Sequence, residues 1–320
     1  MLLSAKRFFI TFTLVKKILV IYYTQTGQLK SAIDATLKPF ENDSNYSIKY
    51  LKVEPKVAYP YPWSYTEFFD VFPETVQGMP TELVPFDLDP SEQFDLVFIA
   101  YQPWFLSICI PINSFLQTPE AALLLKNKNV ITLIACRNMW LGGQEKMKAH
   151  LLRLQANLVG NITFVDKSAN LVSLVTVLAF VLKGVKEKFM GIFPKYGVSD
   201  KDLSEAHLFG EVIKKHLNTG NYEGQQAELN ALGATNIRGN LLLMEGRGRA
   251  LFPLYSRYIT KKGGKGSKER RARVRTFGIV LPTGILILSP IITILSRLAP
   301  VLFRKKFQKE IEYYSQNSLR

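Results

Sequence analysis

The sequence predicts a doubly wound α/β domain built around a five-stranded parallel sheet. Five short runs rich in apolar residues recur along the chain up to residue 165. The runs 18–23, 96–101 and 130–136 are almost continuously apolar, which is typical of strands that are buried on both faces. Helical patterns separate these runs, beginning with 29–40, and the right-handed crossover rule then places helices on both sides of the sheet. The predicted strands are 18–23, 46–53, 96–101, 130–136 and 158–165.

An insertion rich in aromatic residues and proline separates the second strand from the third. It covers 54–94, and its prolines at 60, 62 and 73 are expected to prevent regular helix there. Two interpretations stay open for its rings. They pack onto the domain surface, or they form an apolar lid over a lipophilic or planar ligand.

Basic charge is concentrated in the C-terminal quarter of the chain. The 320 residues carry a net charge of +15. Residues 247–320 hold 17 Lys and Arg against 3 Asp and Glu, a balance of +14, whereas 1–246 hold 24 against 23, a balance of +1. This asymmetry argues against a uniformly basic nucleic-acid-binding protein. Cys109 and Cys136 form no CxxC pair, and no His and Cys cluster has metal-ligand spacing, so no metal site is predicted.

The C-terminal region is predicted to attach the protein to a membrane. Residues 247–276 are expected to be a basic linker, in which 261–275 is flexible and well solvated. The 20 residues of 277–296 carry no charge, and a helix of that length covers about 30 Å, the thickness of a bilayer core. The predicted membrane segment is 277–303, a basic tail covers 304–320, and lipid contact is expected over 261–309. Because both flanks are basic, a spanning helix and a shallow hairpin broken at proline both stay open.

The location expected for the main domain is the cytoplasmic face of the bacterial inner membrane, since the first basic flank is the richer one. The beginning of the chain fits this domain poorly. A basic pair followed by eight mostly apolar residues resembles a signal peptide only loosely, because no small-residue cleavage site follows. We interpret 1–15 as an over-extended gene prediction, with a native start at Val15 and the α/β domain over 16–246.

Three turns at the carboxyl ends of the strands hold the candidate binding residues, because ligands of doubly wound sheets bind at that edge. Loop 1 (24–28) combines hydroxyl and glycine residues ahead of a helix, and such a turn aims N–H groups at an anion, most naturally a phosphate. Loop 2 (102–106) and loop 3 (136–140) follow the third and fourth strands. After the fifth strand, Asp166 and Lys167 either face the same site or form surface ion pairs. The candidate cofactor-binding residues are Thr24, Gln25, Thr26, Gly27, Gln28, Gln102, Pro103, Trp104, Phe105, Arg137, Asn138, Met139 and Trp140.

Loop 1 resembles the phosphate loop of the flavodoxin-like superfamily, except that Leu29 stands where a further hydroxyl residue is usual. This resemblance implies FMN as the cofactor, with Trp104 covering one face of the flavin ring. Arg137 and Asn138 are the candidate catalytic residues. The arginine is expected to stabilise negative charge on the reduced flavin or on a substrate enolate, and the asparagine to bond the ring edge. Cys136 is interpreted as a small core residue without a catalytic role.

The chain from Lys16 onward, including the tail, resembles a bacterial family of dialkylresorcinol-condensing enzymes, which is linked to flexirubin-type and dialkylresorcinol pigments. The supporting stretches are 21–29 (IYYTQTGQL), 68–74 (FFDVFPE), 135–140 (ACRNMW) and 191–195 (GIFPK). Condensation needs a Cys nucleophile with His partners, a set that the sequence does not show. The resemblance therefore implies a different step, the flavin-dependent aromatisation of a dialkylcyclohexanedione to a dialkylresorcinol.

The same resemblance implies several partners: a small lipophilic substrate, a separate ketosynthase and an acyl carrier protein. A membrane tail suits such a substrate, because its alkyl chains partition into lipid. Two alternatives from other functional classes stay open. A membrane-tethered electron carrier needs the flavin but no substrate pocket, and a non-catalytic scaffold for pathway enzymes needs neither.

Overall fold

The structure is a computed structural model, and it describes residues 15–185, 187–237, 239–302 and 304–318. The expectation for 1–15 therefore lies outside the described residues, apart from Val15. The strands are β1 (Lys16–Tyr22), β2 (Tyr46–Lys52), β3 (Leu96–Tyr101), β4 (Pro103–Trp104), β5 (Ser107–Ile108), β6 (Asn129–Cys136) and β7 (Asn157–Val165). The helices are α1 (Gln28–Leu37), α2 (Tyr65–Asp70), α3 (Phe72–Gln77), α4 (Ile110–Phe115), α5 (Pro119–Leu125), α6 (Leu141–Arg153), α7 (Asn170–Lys183), α8 (Asp200–Glu205), α9 (His207–Thr219), α10 (Gln225–Ala231), α11 (Gly239–Thr260), α12 (Arg271–Leu302) and α13 (Arg304–Ser315).

Five strands form one sheet in the order β2-β1-β3-β6-β7, and every neighbouring pair in it is parallel. This is the flavodoxin-like strand order, with its switch point between β1 and β3. The predicted five-stranded parallel sheet is confirmed, and its strands begin and end within two residues of the predicted positions. The two short strands β4 and β5 form a separate antiparallel hairpin just beyond β3.

Alternate side chains of the strands fill two cores, one on each face of the sheet. Leu19 and Ile21 of β1 pack with residues of α4 and α6, whereas Ile18 and Val20 pack with residues of α1 and α9. β3 is buried along its whole length because both of its faces are covered. Double coverage explains why the central strands β1, β3 and β6 read as nearly continuous apolar runs rather than as alternating patterns.

The insertion contains two short helices, α2 and α3. Pro73 lies in the first turn of α3, where its missing N–H has no intrahelical partner to lose. The expectation that the prolines prevent regular helix in the insertion is therefore wrong at this position. Ser64 begins α2 with a capping box, in which its Oγ accepts from the Glu67 N–H over 3.2 Å.

A buried arginine joins the insertion to the predicted linker. Arg270 Nε donates to Asp70 Oδ1 over 2.7 Å, and Arg270 Nη1 donates to Glu74 Oε1 over 2.6 Å. The Arg270 side chain has 0% exposure, so the expectation of a solvated linker is wrong at this residue. Burial is tolerated because two carboxylates satisfy the guanidinium. In addition, α11 continues without a break through position 247, where the linker was predicted to begin.

The apolar C-terminal segment lies in α12, which continues as helix through Pro282 and Pro290. The hairpin broken at these prolines, one of the two alternatives left open, is therefore not seen, since a proline inside a helix can kink it without ending it. Within the described part of the chain, no helix combines the length and the apolar character that crossing a membrane requires. The predicted segment 277–303 includes Phe303 and several side chains outside the described residues, and it stays a prediction.

Candidate functional site

The three loops meet around one cavity of about 200 Å³ at the carboxyl ends of β1, β3 and β6. We refer to it as the first cavity. Its position agrees with the expectation from the sheet, because the carboxyl ends of parallel strands share one edge. The lining residues from the three loops are Gln25, Thr26, Gln28, Gln102, Pro103, Trp104, Phe105, Cys136 and Arg137.

Loop 1 brings a helix N-terminus without a side-chain cap to the first cavity. Gly27 has φ 91° and ψ −22°, a left-handed conformation that favours glycine. Its N–H donates to Thr24 Oγ1 over 3.1 Å, so the threonine hydroxyl closes the turn. Among the described residues no side chain caps α1, and a Cβ at Gly27 would meet no atom within 4 Å. The turn therefore offers space and helix N–H groups to a phosphate.

The two glutamines of loop 1 hold other segments over the first cavity. Gln25 Nε2 donates to the Pro60 carbonyl over 2.7 Å, and Gln25 Oε1 accepts from Trp63 Nε1 over 3.1 Å. Gln28 Nε2 donates to the Tyr196 carbonyl over 3.1 Å. These side chains position the insertion and the turn before α8. Because both glutamine side chains have other partners, an anion at loop 1 would be bound by the backbone and by the Thr26 side chain.

Trp104 lies in the wall of the first cavity within an aromatic cluster. Its ring makes edge-to-face contacts with Tyr23, Tyr59 and Trp63, at centroid distances of 6.0, 5.2 and 5.7 Å. These contacts fix the plane of the indole ring, which stays half-buried. The insertion therefore supports the candidate stacking residue. Its rings pack onto the domain, as one interpretation expects, and some of them also line the cavity. A role as a lid over a ligand stays a prediction.

Loop 2 holds two residues in left-handed backbone conformations. Phe105 and Leu106 connect β4 to β5 with φ values of 45° and 59°. For residues other than glycine this region costs about 1–2 kcal/mol each. Close packing keeps the hairpin in place. A Cβ at Gly142 would lie 2.6 Å from the Leu106 carbonyl oxygen, so this neighbour must be glycine. A Cβ at Gly248 would lie 2.5 Å from Leu106 Cδ1, so the leucine side chain would have to move.

Arg137 supplies a positive charge to the first cavity. Its Nε donates to Ser173 Oγ over 3.1 Å, and Ser173 Oγ donates in turn to Asp166 Oδ2 over 3.2 Å. Burial lowers the pKa of Arg137, but a guanidinium in a protein keeps its charge. Of the two residues considered after the fifth strand, Asp166 is buried and supports this chain of bonds, whereas Lys167 forms an ion pair with Asp202.

The remaining candidates of loop 3 do not line the first cavity. Asn138 and Met139 line a second cavity, and Trp140 is buried in the core at the start of α6. The chain turns into α6 here, and the buried Glu245 accepts from the Leu141 N–H through Oε2 over 3.0 Å. The cofactor-binding roles of these three residues stay predictions, as does the catalytic role of Asn138.

Two ionisable groups beside Arg137 are kept neutral by burial. Burial raises the pKa of the Cys136 thiol well above its usual range, and it does the same to the Tyr196 phenol. A neutral thiol is a poor nucleophile, so no catalytic role is assigned to Cys136. Its side chain is half-buried and lines the first cavity, so the expectation of a small core residue is wrong. The cavity wall around Arg137 therefore presents one fixed cation among uncharged groups.

Sequence analysis missed a large part of the cavity wall. The high density of aromatic residues in the insertion indicated that it could line a cavity. The apolar residues of α7 gave no such indication, because their pattern is the same as that of ordinary core residues. The stretch 191–195, noted for its family resemblance, ends beside Tyr196. The residues that no expectation covered are Val71, Val177, Phe180, Val181, Tyr196, Gly197 and Val198. Tyr61, Trp63 and Phe68 belong to the rings that were considered as a lid.

No protein-family model matches the chain, and no curated protein is similar to it. Among solved structures, a flavoprotein in complex with FMN from Lactobacillus acidophilus NCFM is similar at 15% identity and a TM-score of 0.38, over 46% of this chain and 93% of that one. A flavodoxin from the domain Archaea is similar at 13% identity and a TM-score of 0.35, over 63% of this chain and 99% of that one. Because these scores are low, the fold assignment rests on the strand order of the sheet.

Proposed function

We propose that the protein binds FMN in the first cavity and is a flavin-dependent oxidoreductase. The observation that carries this proposal is the convergence of loops 1, 2 and 3 on one cavity at the switch point of a doubly wound sheet. The residues fit the cofactor. The N-terminus of α1 is open for a phosphate at Gly27, and Trp104 offers an aromatic wall for the ring.

Bound FMN supplies a hydride acceptor, which is the chemistry needed to remove two hydrogens from a carbon ring. We propose a dialkylcyclohexanedione as the substrate, which loses one hydride to the flavin and one proton to become a dialkylresorcinol. Support comes from the family resemblance and from the apolar wall that Phe68, Val177 and Phe180 give the cavity. An electron carrier has no need of such an enclosed apolar wall.

Arg137 is the residue we propose to hold an enolate oxygen of this substrate. It is the charged member of the residues lining the first cavity in the described chain. A 1,3-diketone ionises readily because its enolate spreads the charge over two oxygens, and a fixed guanidinium stabilises that anion. The bond from Arg137 to Ser173 keeps the guanidinium oriented, so little reorganisation is needed when charge develops.

Anaerobic mixing of FMN-loaded protein with a dialkylcyclohexanedione tests the proposed reaction. We expect the flavin absorbance band to bleach while an equal amount of dialkylresorcinol forms. Bleaching by a reduced redox protein but not by the dione would support the electron carrier instead. A purified protein that retains no flavin and binds none would support the scaffold.

We also propose that α12 attaches the protein to the cytoplasmic face of the bacterial inner membrane. Its aliphatic side chains are unusually exposed, with Ile279 at 64% and Ile287 at 60%. The basic residues before and after the apolar segment suit anionic head groups on one side of a membrane. On the basis of the family resemblance, we further propose a ketosynthase and an acyl carrier protein of the same pathway as partners.

Contacts at both ends of the apolar segment support a helix that lies in one face of the membrane. Phe277 stacks on Phe72 of the insertion with 3.7 Å between ring centroids, and beyond α12 the Tyr314 hydroxyl accepts from Arg249 Nη1 over 2.6 Å. Both flanks thus contact the same domain, whereas a spanning helix places its flanks on opposite sides of the bilayer.

Flotation with anionic vesicles tests the attachment. Ile279→Lys combined with Ile287→Lys is expected to release the protein from vesicles. Leu123→Lys is the control, because Leu123 of α5 is also 63% exposed but lies away from α12. Unchanged flotation of the double variant would contradict attachment through α12.

A further inference from the structure

A second cavity of about 180 Å³ lies next to the first, between loop 2, α7 and the C-terminal helices. Its wall is almost entirely aliphatic and aromatic. The residues that it does not share with the first cavity include Phe69, Leu106, Leu174, Leu178, Phe252 and Ile285. A hydrocarbon group would find complementary surface there, and a charged or strongly polar group would lose its hydration without replacement.

The two cavities share one wall. Phe68, Phe105 and Val177 line both of them, and so do Cys136 and Arg137. The shared polar group is therefore the Arg137 guanidinium, which we have proposed to hold the ring oxygen of the substrate. From that point the first cavity leads toward loop 1 and the second cavity leads toward α12.

The far side of the second cavity is formed by the helix with exposed aliphatic side chains. Leu281, Pro282 and Ile285 of α12 line the cavity, while Ile279 and Ile287 of the same helix are exposed. Leu281 and Ile285 are four residues apart and share one helix face. One face of α12 thus closes the cavity, and another face presents aliphatic groups to the outside.

We propose that the second cavity binds a linear saturated hydrocarbon chain of the substrate while its oxygenated ring lies at Arg137, where the two cavities meet. This inference rests on the proposed function, because it assumes a ring held at Arg137. The polar side chains that line the second cavity, Arg137 and Asn138, are adjacent in the chain, and most of the remaining wall is apolar. This is the polarity pattern of an oxygenated ring with an attached alkyl chain. α12 forms the wall through which a chain would arrive from lipid.

A homologous series of 4-n-alkylresorcinols, from ethyl to nonyl, tests the chain site by isothermal titration into the full-length protein. In the native protein we expect affinity to increase about fourfold per added methylene until the second cavity is filled. Leu178→Trp fills the cavity and is expected to flatten this dependence while affinity for the ethyl member stays within twofold. Leu171→Trp is the matched control on the same helix, because Leu171 is exposed and does not line the cavity.

Ile285→Trp fills the same cavity from α12 and serves as a second variant should Leu178→Trp fail to fold. A chain-length dependence that persists in a folded cavity-filling variant would overturn the chain site. FMN content measured on the same samples separates this result from the proposed function. If the native protein binds FMN but its affinity does not change with chain length, only the chain site is contradicted. If the native protein binds no FMN, the proposed function itself is contradicted.

Discussion

Phe277, the first residue of the apolar C-terminal segment, stacks on Phe72 of the insertion with ring centroids 3.7 Å apart and ring planes inclined by 24°. Both side chains are almost completely buried. The start of the C-terminal segment is therefore part of the folded domain. Through Phe105, which contacts both rings, it also reaches loop 2 of the candidate site.

Replacing this ring is expected to destabilise the protein. Phe277→Ala should lower the free energy of unfolding by about 3–5 kcal/mol, because it opens a cavity inside an aromatic cluster. Urea denaturation measures the change. Leu286→Ala, at a position on the same helix that is 57% exposed, is the control and should change little. Equal effects of the two substitutions would show that Phe277 is not packed as described.

Substitution of Gly27 is expected to weaken FMN binding. Gly27→Val forces a β-branched residue to φ 91°, and relief of that strain would turn the helix N–H groups away from the phosphate. Affinity for FMN should fall at least about tenfold, since a left-handed residue costs about 1–2 kcal/mol. Gly220→Val is the matched control. Gly220 also has a left-handed φ of 68° with open space around it, but it ends α9 away from the cavity. A similar loss of FMN in both variants would point to general instability instead.

Arg137 is expected to affect turnover more than cofactor retention. Arg137→Lys should lower kcat about a hundredfold, because an ammonium cannot reproduce the planar guanidinium and its bond to Ser173. Ser173→Ala keeps the Arg137 charge but removes the hydrogen bond that orients the guanidinium. The loss of this one hydrogen bond is expected to lower kcat about tenfold. Rapid-reaction kinetics of flavin bleaching gives both values. A Ser173→Ala variant as impaired as Arg137→Lys would contradict a supporting role.

Glu245 makes stability depend on pH. Burial raises the pKa of its carboxyl from the ordinary 4.5 to about 8. Between these values the native protein keeps a proton that the unfolded chain has lost, so stability falls as pH rises through this window. Glu245→Gln cannot ionise and still offers an oxygen to the Leu141 N–H, so at pH 8 it should be the more stable protein by a few kcal/mol.

Thermal unfolding from about pH 5 to about pH 8 measures this difference. Glu82→Gln is the control, because the Glu82 side chain is 80% exposed. Its substitution should leave the slope of stability with pH unchanged over this range. Parallel slopes for native protein and Glu245→Gln would contradict the raised pKa.

Much of the sheet could be predicted from the sequence, because strands buried on both faces are continuously apolar whatever surrounds them. β3 shows this, since all six of its residues are buried and its predicted bounds are those observed. The insertion was harder to predict. Its helices depend on tertiary contacts such as the one between Asp70 and Arg270, which are separated by 200 positions in the chain.

The candidate site was predictable to the extent that it lies at strand ends. Loops 1 and 2 were located correctly by that rule, and so was Arg137. Asn138, Met139 and Trp140 turn away because α6 begins directly after them, and its start is fixed by Glu245 from a distant helix. Phe180 and Tyr196 reach the cavity only through packing, so no local pattern could distinguish them from ordinary core residues.

A comparison of FMN with riboflavin by equilibrium fluorescence titration tests the central claim most directly. The account predicts saturable quenching at one FMN per chain. It also predicts that riboflavin binds at least about tenfold more weakly, because it lacks the phosphate that the N–H groups of loop 1 are arranged to bind. No saturable binding of FMN, or equal affinity for FMN and riboflavin, would contradict it.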